Sequence, residues 1–312
     1  MKLSNSVAAM IAAAFFTFSP LALAQTAQDQ AKLAALATLD LKHAAAKTLF
    51  GAAKLPTNLA ARAIGSYARG CLSGGQALPV NGPDWQVMRT SRNRNWAHPA
   101  LLNLIEKLAR DAKKDDDWNG LLVGDMSQPR GGPMLTGHAS HQIGLDADIW
   151  FTPMPDHPLT TQERENMVPI AMVKDRQTLD WSAWTESRAK LIKTAASYPE
   201  VARIFVHPPI KAELCKWATG DRSWLAKVRP YFNHTFHFHI RMKCPAGFAG
   251  CKNQAPAAPA DGTGCGEELA YWMGPTPWAV KKRDPNAPPV KPAPALTLAA
   301  LPAECRAVVT AP

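Results

Sequence analysis

No HExxH stretch occurs in these 312 residues, so the helical zinc motif that brings its own glutamate base is excluded. No CxxC pair is present either, which argues against a cysteine metal site. No SxxK stands in a context that supports an acyl-serine enzyme. Glycine-rich turns are not framed by a strand and a helix, so nucleotide binding lacks support. Positive residues are scattered without interleaved aromatics, which removes a nucleic-acid module. There is no internal repeat, and beyond the first two dozen residues no apolar run approaches the length that crosses a bilayer.

That first stretch is informative. Lys2, an apolar run from Val7 to Leu23, and Ala22-Leu23-Ala24 before Gln25 predict a signal peptide over 1–24, cleaved after Ala24. Pro20 and the polar residues that follow disfavour a retained anchor, so the mature chain is expected to be exported, with no membrane span. Six cysteines remain after processing, an even number that favours disulfides in an oxidising compartment, with fifteen complete pairings open. Lys plus Arg exceed Asp plus Glu by 35 to 25, for a formal charge of +10. An anionic polymer is the partner that such a surface would attract, in a salt-sensitive way.

The remainder is long enough for one large domain and marginal for two. Residues 25–54 are rich in Ala, Leu, Lys and Gln at helical spacing, ahead of Pro56. Residues 55–275 mix expected strands (86–89, 120–124, 145–151, 204–207 and 235–243) with helices near 99–113 and 183–198. Crossover helices do not regularly separate those strands, which predicts an α+β fold rather than a doubly wound sheet. From 276 to 312 proline and alanine crowd the chain and periodicity is lost, so this part reads as an extended tail that Cys305 can tie back.

Four histidines and two aspartates fall in two short clusters, GHASHQIGLDADIWF (137–151) and HTFHFHIRMKC (234–244). In a strand, residues two apart share a face. Thr235, His237, His239 and Arg241 then line one face of the second cluster, and Phe236, Phe238, Ile240 and Met242 face a core. Leu145, Ala147 and Ile149 alternate with Asp146 and Asp148 in the same manner. Two amphipathic strands thus present imidazoles and carboxylates on faces expected to be open. Catalytic zinc takes three ligands of the His, Asp and Glu type and keeps a fourth position for water. His141, Asp148 and His239 supply such a set, and His237 is left on the same face as a general base.

A lone histidine is more often packed or hydrogen-bonded than a ligand, and that reading is kept for His43, His98, His157 and His207. His138, three residues before His141, is either a further ligand or a donor to substrate. His234 opens the second strand and can orient His237, bind a substrate carboxylate, or simply lie near a turn. In the loop 124–137, Gly131 and Gly132 suit turn chemistry, while Arg130 and Ser140 stand within reach of a substrate.

GHASHQIGLDADIWF followed by KVRPYFNHTFHFHIRMKCP resembles the penicillin-insensitive murein endopeptidases, a branch of the lysostaphin, D-Ala-D-Ala metallopeptidase and hedgehog-like group. YARGCLSGGQALP, WQVMRTSRNRNWAHP, LLVGDMSQPRGGPM, RIFVHPPIKAELC and DGTGCGEEL are similar to the same family in the same order, so the likeness spans roughly residues 55–275. It implies a small, largely antiparallel central sheet with Zn2+ on its open face, metal ligands His138, His141, Asp148 and His239, and catalytic His237 and His234. It implies disulfides Cys71–Cys305, Cys215–Cys265 and Cys244–Cys251, a periplasmic location, and hydrolysis of D-alanyl–diaminopimelyl cross-links in peptidoglycan. An Asp and a His three apart hold a peripheral metal in the family. Here Asp175 is kept but Thr178 replaces the histidine, so a solvated Asp175 is expected. Two alternatives share these residues: a zinc D-Ala-D-Ala carboxypeptidase, and a non-catalytic peptidoglycan-binding protein with a structural metal.

Overall fold

Alternation in DADIW and HFHIRM predicts two half-buried strands, and the chain pairs them with each other. The structure, a computed structural model, describes residues 43–279 and 294–311. The expected signal peptide, most of the 25–54 helical segment and residues 280–293 of the Pro-rich segment lie outside the described residues. In chain order the strands are β1 (Arg62–Ser66), β2 (Arg69–Ser73), β3 (Gln76–Ala77), β4 (Trp85–Val87), β5 (Trp96–Ala97), β6 (Leu121–Val123), β7 (Asp146–Trp150), β8 (Val201–Val206), β9 (Val228–Pro230) and β10 (His237–Met242). The helices are α1 (Ala46–Ala52), α2 (Pro99–Asp115), α3 (Thr161–Asn166), α4 (Glu186–Ser197), α5 (Pro208–Trp217), α6 (Glu267–Met273) and α7 (Glu304–Thr310).

Six strands form the central sheet in the order β4-β6-β7-β10-β8-β9. Its inner ladders, β6 with β7, β7 with β10 and β10 with β8, are antiparallel. The outer pairs, β4 with β6 and β8 with β9, are parallel. The expected largely antiparallel sheet is therefore a mixed one, and the reason is local. Each parallel pair needs a crossover, which α2 supplies between β4 and β6 and α5 supplies between β8 and β9. Both helices begin on a His-Pro step, His98-Pro99 and His207-Pro208, where proline preorganises the first turn. His98 accepts the Ala100 N–H through Nδ1 at 3.2 Å, so it caps a helix.

In β7 and β10 the register sets Phe238 opposite Ile149 and Ile240 opposite Ala147, all fully buried in the core. Leu101, Ile105, Leu108 and Ala112 cover that core from one stripe of α2. On the other face the register sets His237 opposite Trp150, His239 opposite Asp148 and Arg241 opposite Asp146. That face was expected to be open, yet every residue of both strands is buried. Loop 124–145 and the turn before β10 fold over it, bringing Asp125, His138, His141 and His234 onto the paired strands. Gly131 and Gly132 hold φ of 63° and 73° in that loop, and a Cβ on either would lie 2.1 Å from another group, Gln142 O and the Phe50 ring respectively.

Cysteines pair as Cys71–Cys305, Cys215–Cys265 and Cys244–Cys251. The first bond anchors α7, which buries Cys305, Val308 and Val309. Arg130 points to this helix rather than to a substrate cleft, donating to the carbonyls of Val308, Val309 and Ala311 at 3.1, 3.0 and 2.6 Å. A guanidinium there satisfies carbonyls that have no intrahelical partner. Replacing both Cys71 and Cys305 by alanine is expected to lower unfolding stability by about 2–5 kcal/mol. Urea titration under non-reducing conditions measures it, and an unchanged midpoint would mean that α7 is held without the bond.

Candidate metal centre

His138 and His141 arrive on a loop, Asp148 on β7, and each offers one ligand atom, all within 4.8 Å of one another. Such a His/His/Asp group can hold a metal ion. His239 Nδ1 joins it from β10, 3.2 Å from Asp148 Oδ1 and 3.1 Å from His141 Nε2. His141 Nε2 lies 3.4 Å from the same oxygen and His237 Nε2 lies 3.7 Å from it. His138 Nε2 is 3.6 Å from the second oxygen, Asp148 Oδ2.

Asp148 Oδ1 is buried and makes no hydrogen bond among the described residues, although imidazole nitrogens of three histidines lie within 3.7 Å. An orphaned carboxylate oxygen in the interior is costly, and a shared cation is what would satisfy it. Nitrogen and oxygen donors of this kind fit zinc. Burial alone would raise the Asp148 pKa, but the surrounding imidazoles, His237 and His141 foremost, hold its carboxyl well below the usual range. It is thus an anion ready to ligate.

Asp146 orders this array from behind. Burial pushes its pKa up, while the Arg241 charge and then His239 pull it far below the ordinary carboxylate value. Its oxygens accept from Arg241 Nε at 2.8 Å, from the His141 backbone N–H at 2.9 Å, and from His239 Nε2 at 2.9 Å. A carboxylate can only accept, so His239 carries its proton on Nε2 and turns the Nδ1 lone pair to the site. The His141 backbone sits in the left-handed region at φ 64°, a strained conformation that its bond to Asp146 pins down.

His237 and His234 differ from the groups that could hold an ion. Burial is the largest cause lowering the His237 pKa, only partly offset by the Asp148 charge. Burial, then the charges of His237 and His239, push His234 down to about 3. Both imidazoles are therefore neutral near neutral pH, with a lone pair free on His237 for a proton, while His234 is the much weaker base. Their rings are 5.0 Å apart, and His234 Nδ1 faces the Phe232 carbonyl at 2.6 Å, which leaves Nε2 as its acceptor.

Two partners of the site carried no sequence signal or only a weak one. Asp125, in the loop after β6, takes His138 Nε2 at 3.0 Å, Arg94 at 2.8 Å and Arg92 at 3.1 Å on one oxygen. Burial would raise its pKa, but His138 and the two arginines bring it down to about 2. Arg241 was visible only as the next polar residue on the His237–His239 face. Asp175 is exposed and spends its carboxylate on the N–H groups of Gln177 and Thr178 at 2.8 Å each. His157 lies by Glu163 at 3.5 Å, and His207 Nδ1 engages the Asn233 carbonyl, so neither joins the centre.

The profile of the penicillin-insensitive murein endopeptidases matches residues 63–310, and the chain belongs to that family of peptidases. A penicillin-insensitive murein endopeptidase of Haemophilus influenzae is 45% identical over 231 residues, which is 73% of this chain and 79% of that protein. One from Klebsiella pneumoniae subsp. pneumoniae is 41% identical over 263 residues, 82% of this chain and 94% of the relative. One from Yersinia pestis bv. Antiqua is 42% identical over 232 residues, covering 74% and 83%.

Asp146→Asn would leave Arg241 buried without its counter-charge and let an amide donate to His239 Nε2. It is expected to cost about 3–5 kcal/mol of stability and to weaken metal affinity by about 10- to 100-fold, read by urea unfolding and competitive chelator titration. Asp125→Asn tests a depressed carboxyl. Its stability deficit should be complete above about pH 4 and shrink as pH falls toward 2, because the native carboxylate stabilises only where it is ionised. A deficit independent of pH in that window would remove the ionic account of Asp125.

Proposed function

We propose that this protein is a zinc-dependent murein endopeptidase, exported to the periplasm, that hydrolyses the D-alanyl–diaminopimelyl cross-links of peptidoglycan. The observation that carries the metal reading is Asp148 Oδ1, buried without a hydrogen bond among the nitrogens of His141, His237 and His239. Murein as substrate is supported by family membership and by the names of the relatives. Three disulfides accord with an oxidising compartment. The formal charge of +10 favours encounter with a wall rich in carboxylates.

His141, Asp148 and His239 are the residues that would hold zinc, with His138 at the margin as a further ligand. When bound, the ion supplies Lewis acidity, both toward a water molecule and toward the scissile carbonyl. His237, neutral and aimed at the same carboxylate oxygen, takes a proton as the water attacks and returns it to the leaving amine. His234 packs its ring 5.0 Å from His237, with Nδ1 engaged by the Phe232 carbonyl and Nε2 left to receive a hydrogen bond from substrate. Asp125 fixes the His138 ring, and Asp146 fixes the tautomer of His239. No serine takes part, so a β-lactam has nothing to acylate.

His237→Ala is expected to keep zinc and lose about 10²–10⁴ in kcat, whereas Asp148→Ala should lose both. Equal zinc loss in the two variants would abolish this division of roles. Mass spectrometry of digested cross-linked muropeptide dimers tests the bond: monomers support an endopeptidase, and released D-alanine with intact dimers would make it a carboxypeptidase. No product with or without added zinc would leave only a wall-binding protein.

A further inference from the structure

Helix α6 (Glu267–Met273) buries one residue, Leu269, so packing alone gives it little hold on the body. It is nevertheless fastened on every side. The Cys215–Cys265 bond lies just before it. Asp261 gathers the N–H groups of Thr263, Gly264 and Gly266 into a tight turn. Fully buried Lys211 donates to the Thr263 and Leu225 carbonyls at 2.7 Å each, and Arg229 pairs with Glu268. At the far end Gln177 Nε2 donates to the Met273 carbonyl at 2.8 Å.

What this fastening displays is a set of aromatic rings. Trp272 packs on Phe232 at 4.8 Å, on Tyr231 at 5.6 Å and beside Tyr271 at 5.9 Å, and Trp278 closes on Phe232 at 5.0 Å. Tyr271, Tyr231 and Phe232 remain 51%, 48% and 37% exposed. Tyr231 and Phe232 pack on each other and on Trp272, with Tyr271 next to it, and a ring cluster of this kind beside a disulfide and a buried lysine marks a contact site rather than scattered surface apolars. The ridge runs directly into the centre: Tyr231 lies 6.1 Å from the His234 ring and 5.8 Å from Phe205, which stands 5.3 Å from His239.

We propose that Tyr231, Phe232 and Tyr271, backed by Trp272 and Trp278, form a saccharide-stacking subsite that receives a pyranose ring of the glycan to which the scissile peptide is attached. This rests on the endopeptidase reading. Cross-linked stems offer methyl groups, carboxylates and amines, but nothing broad and flat. The amino sugars that carry them do: one face of a pyranose is a sheet of polarised C–H groups, which suits the electron-rich face of an aromatic ring. Tyrosine hydroxyls at the edge of the platform can meet the sugar hydroxyls. Because the rings are already fixed, binding sacrifices little side-chain freedom. The subsite would favour peptides still attached to sugar over free peptide cross-links.

The test uses the full mature protein and two substrates, a cross-linked dimer carrying its disaccharides and the same peptide dimer stripped of sugar. Wild type should prefer the first by roughly tenfold in kcat/KM, expressed in KM, the size of one or two stacking contacts. In Tyr271→Ala and in Trp272→Ala that ratio should fall toward one, and Tyr271→Phe, which keeps the ring, should restore it. A ratio near one in wild type, or one unchanged in the alanine variants, overturns the subsite while the peptidase reading stands. A variant that loses both substrates equally shows a purely structural ridge, and sedimentation showing a dimer that Tyr271→Ala dissolves would assign the rings to a second copy. Failure of wild type to cleave either substrate would instead strike the peptidase reading itself.

Discussion

The Asp146 carboxylate is the contact on which the site depends. It is fully buried, and it is tolerable there only because a guanidinium, an imidazole and a backbone N–H converge on its two oxygens. Those three partners are Arg241 and His239 on β10 and His141 on the loop. One acid therefore sets the register-side geometry of the strand, the tautomer of one nitrogen donor and the strained backbone of another. The antiparallel pairing of Arg241 with Asp146 and of His239 with Asp148 makes this possible, because each acid meets its basic partner directly across the ladder.

Covering the polar face changes the electrostatics. On an open strand, His237 would titrate in the ordinary range and water would satisfy Asp148. Beneath the loop that carries His138 and His141, the carboxylate is left with imidazoles as neighbours, and His237 is kept neutral chiefly by burial. Low local dielectric strengthens every charge interaction in the pocket and makes each unpaired group costly. The same enclosure that makes Asp148 expensive without a cation makes it a strong site for one.

Much of this was legible in the chain. Period-two alternation located β7 and β10 to within a residue or two, and α2 was expected near 99–113, where the structure has Pro99–Asp115. The two-residue spacing of His237 and His239 gave their common face. Burial of that face was not legible, because it is imposed by a glycine- and proline-rich loop with no periodicity of its own. Asp125 escaped for the same reason: its contact with His138 spans a turn that only the tertiary fold closes. Helices α5 and α7 were missed where paired prolines and alanine-rich composition masked short amphipathic stretches. Arg130, read as facing a substrate, instead serves the end of α7.

The cysteine pattern has a consequence for biogenesis. Cys71 is first in the chain of the six and its partner Cys305 is last, separated by 234 positions, with both other bridges nested between them. As the polypeptide emerges, Cys71 meets Cys215 long before Cys305 exists, so oxidation in order of appearance would trap a wrong loop. Reaching the observed pairing then takes either a Cys71 that stays reduced until its last-made partner has arrived or thiol–disulfide exchange that releases it from an earlier one.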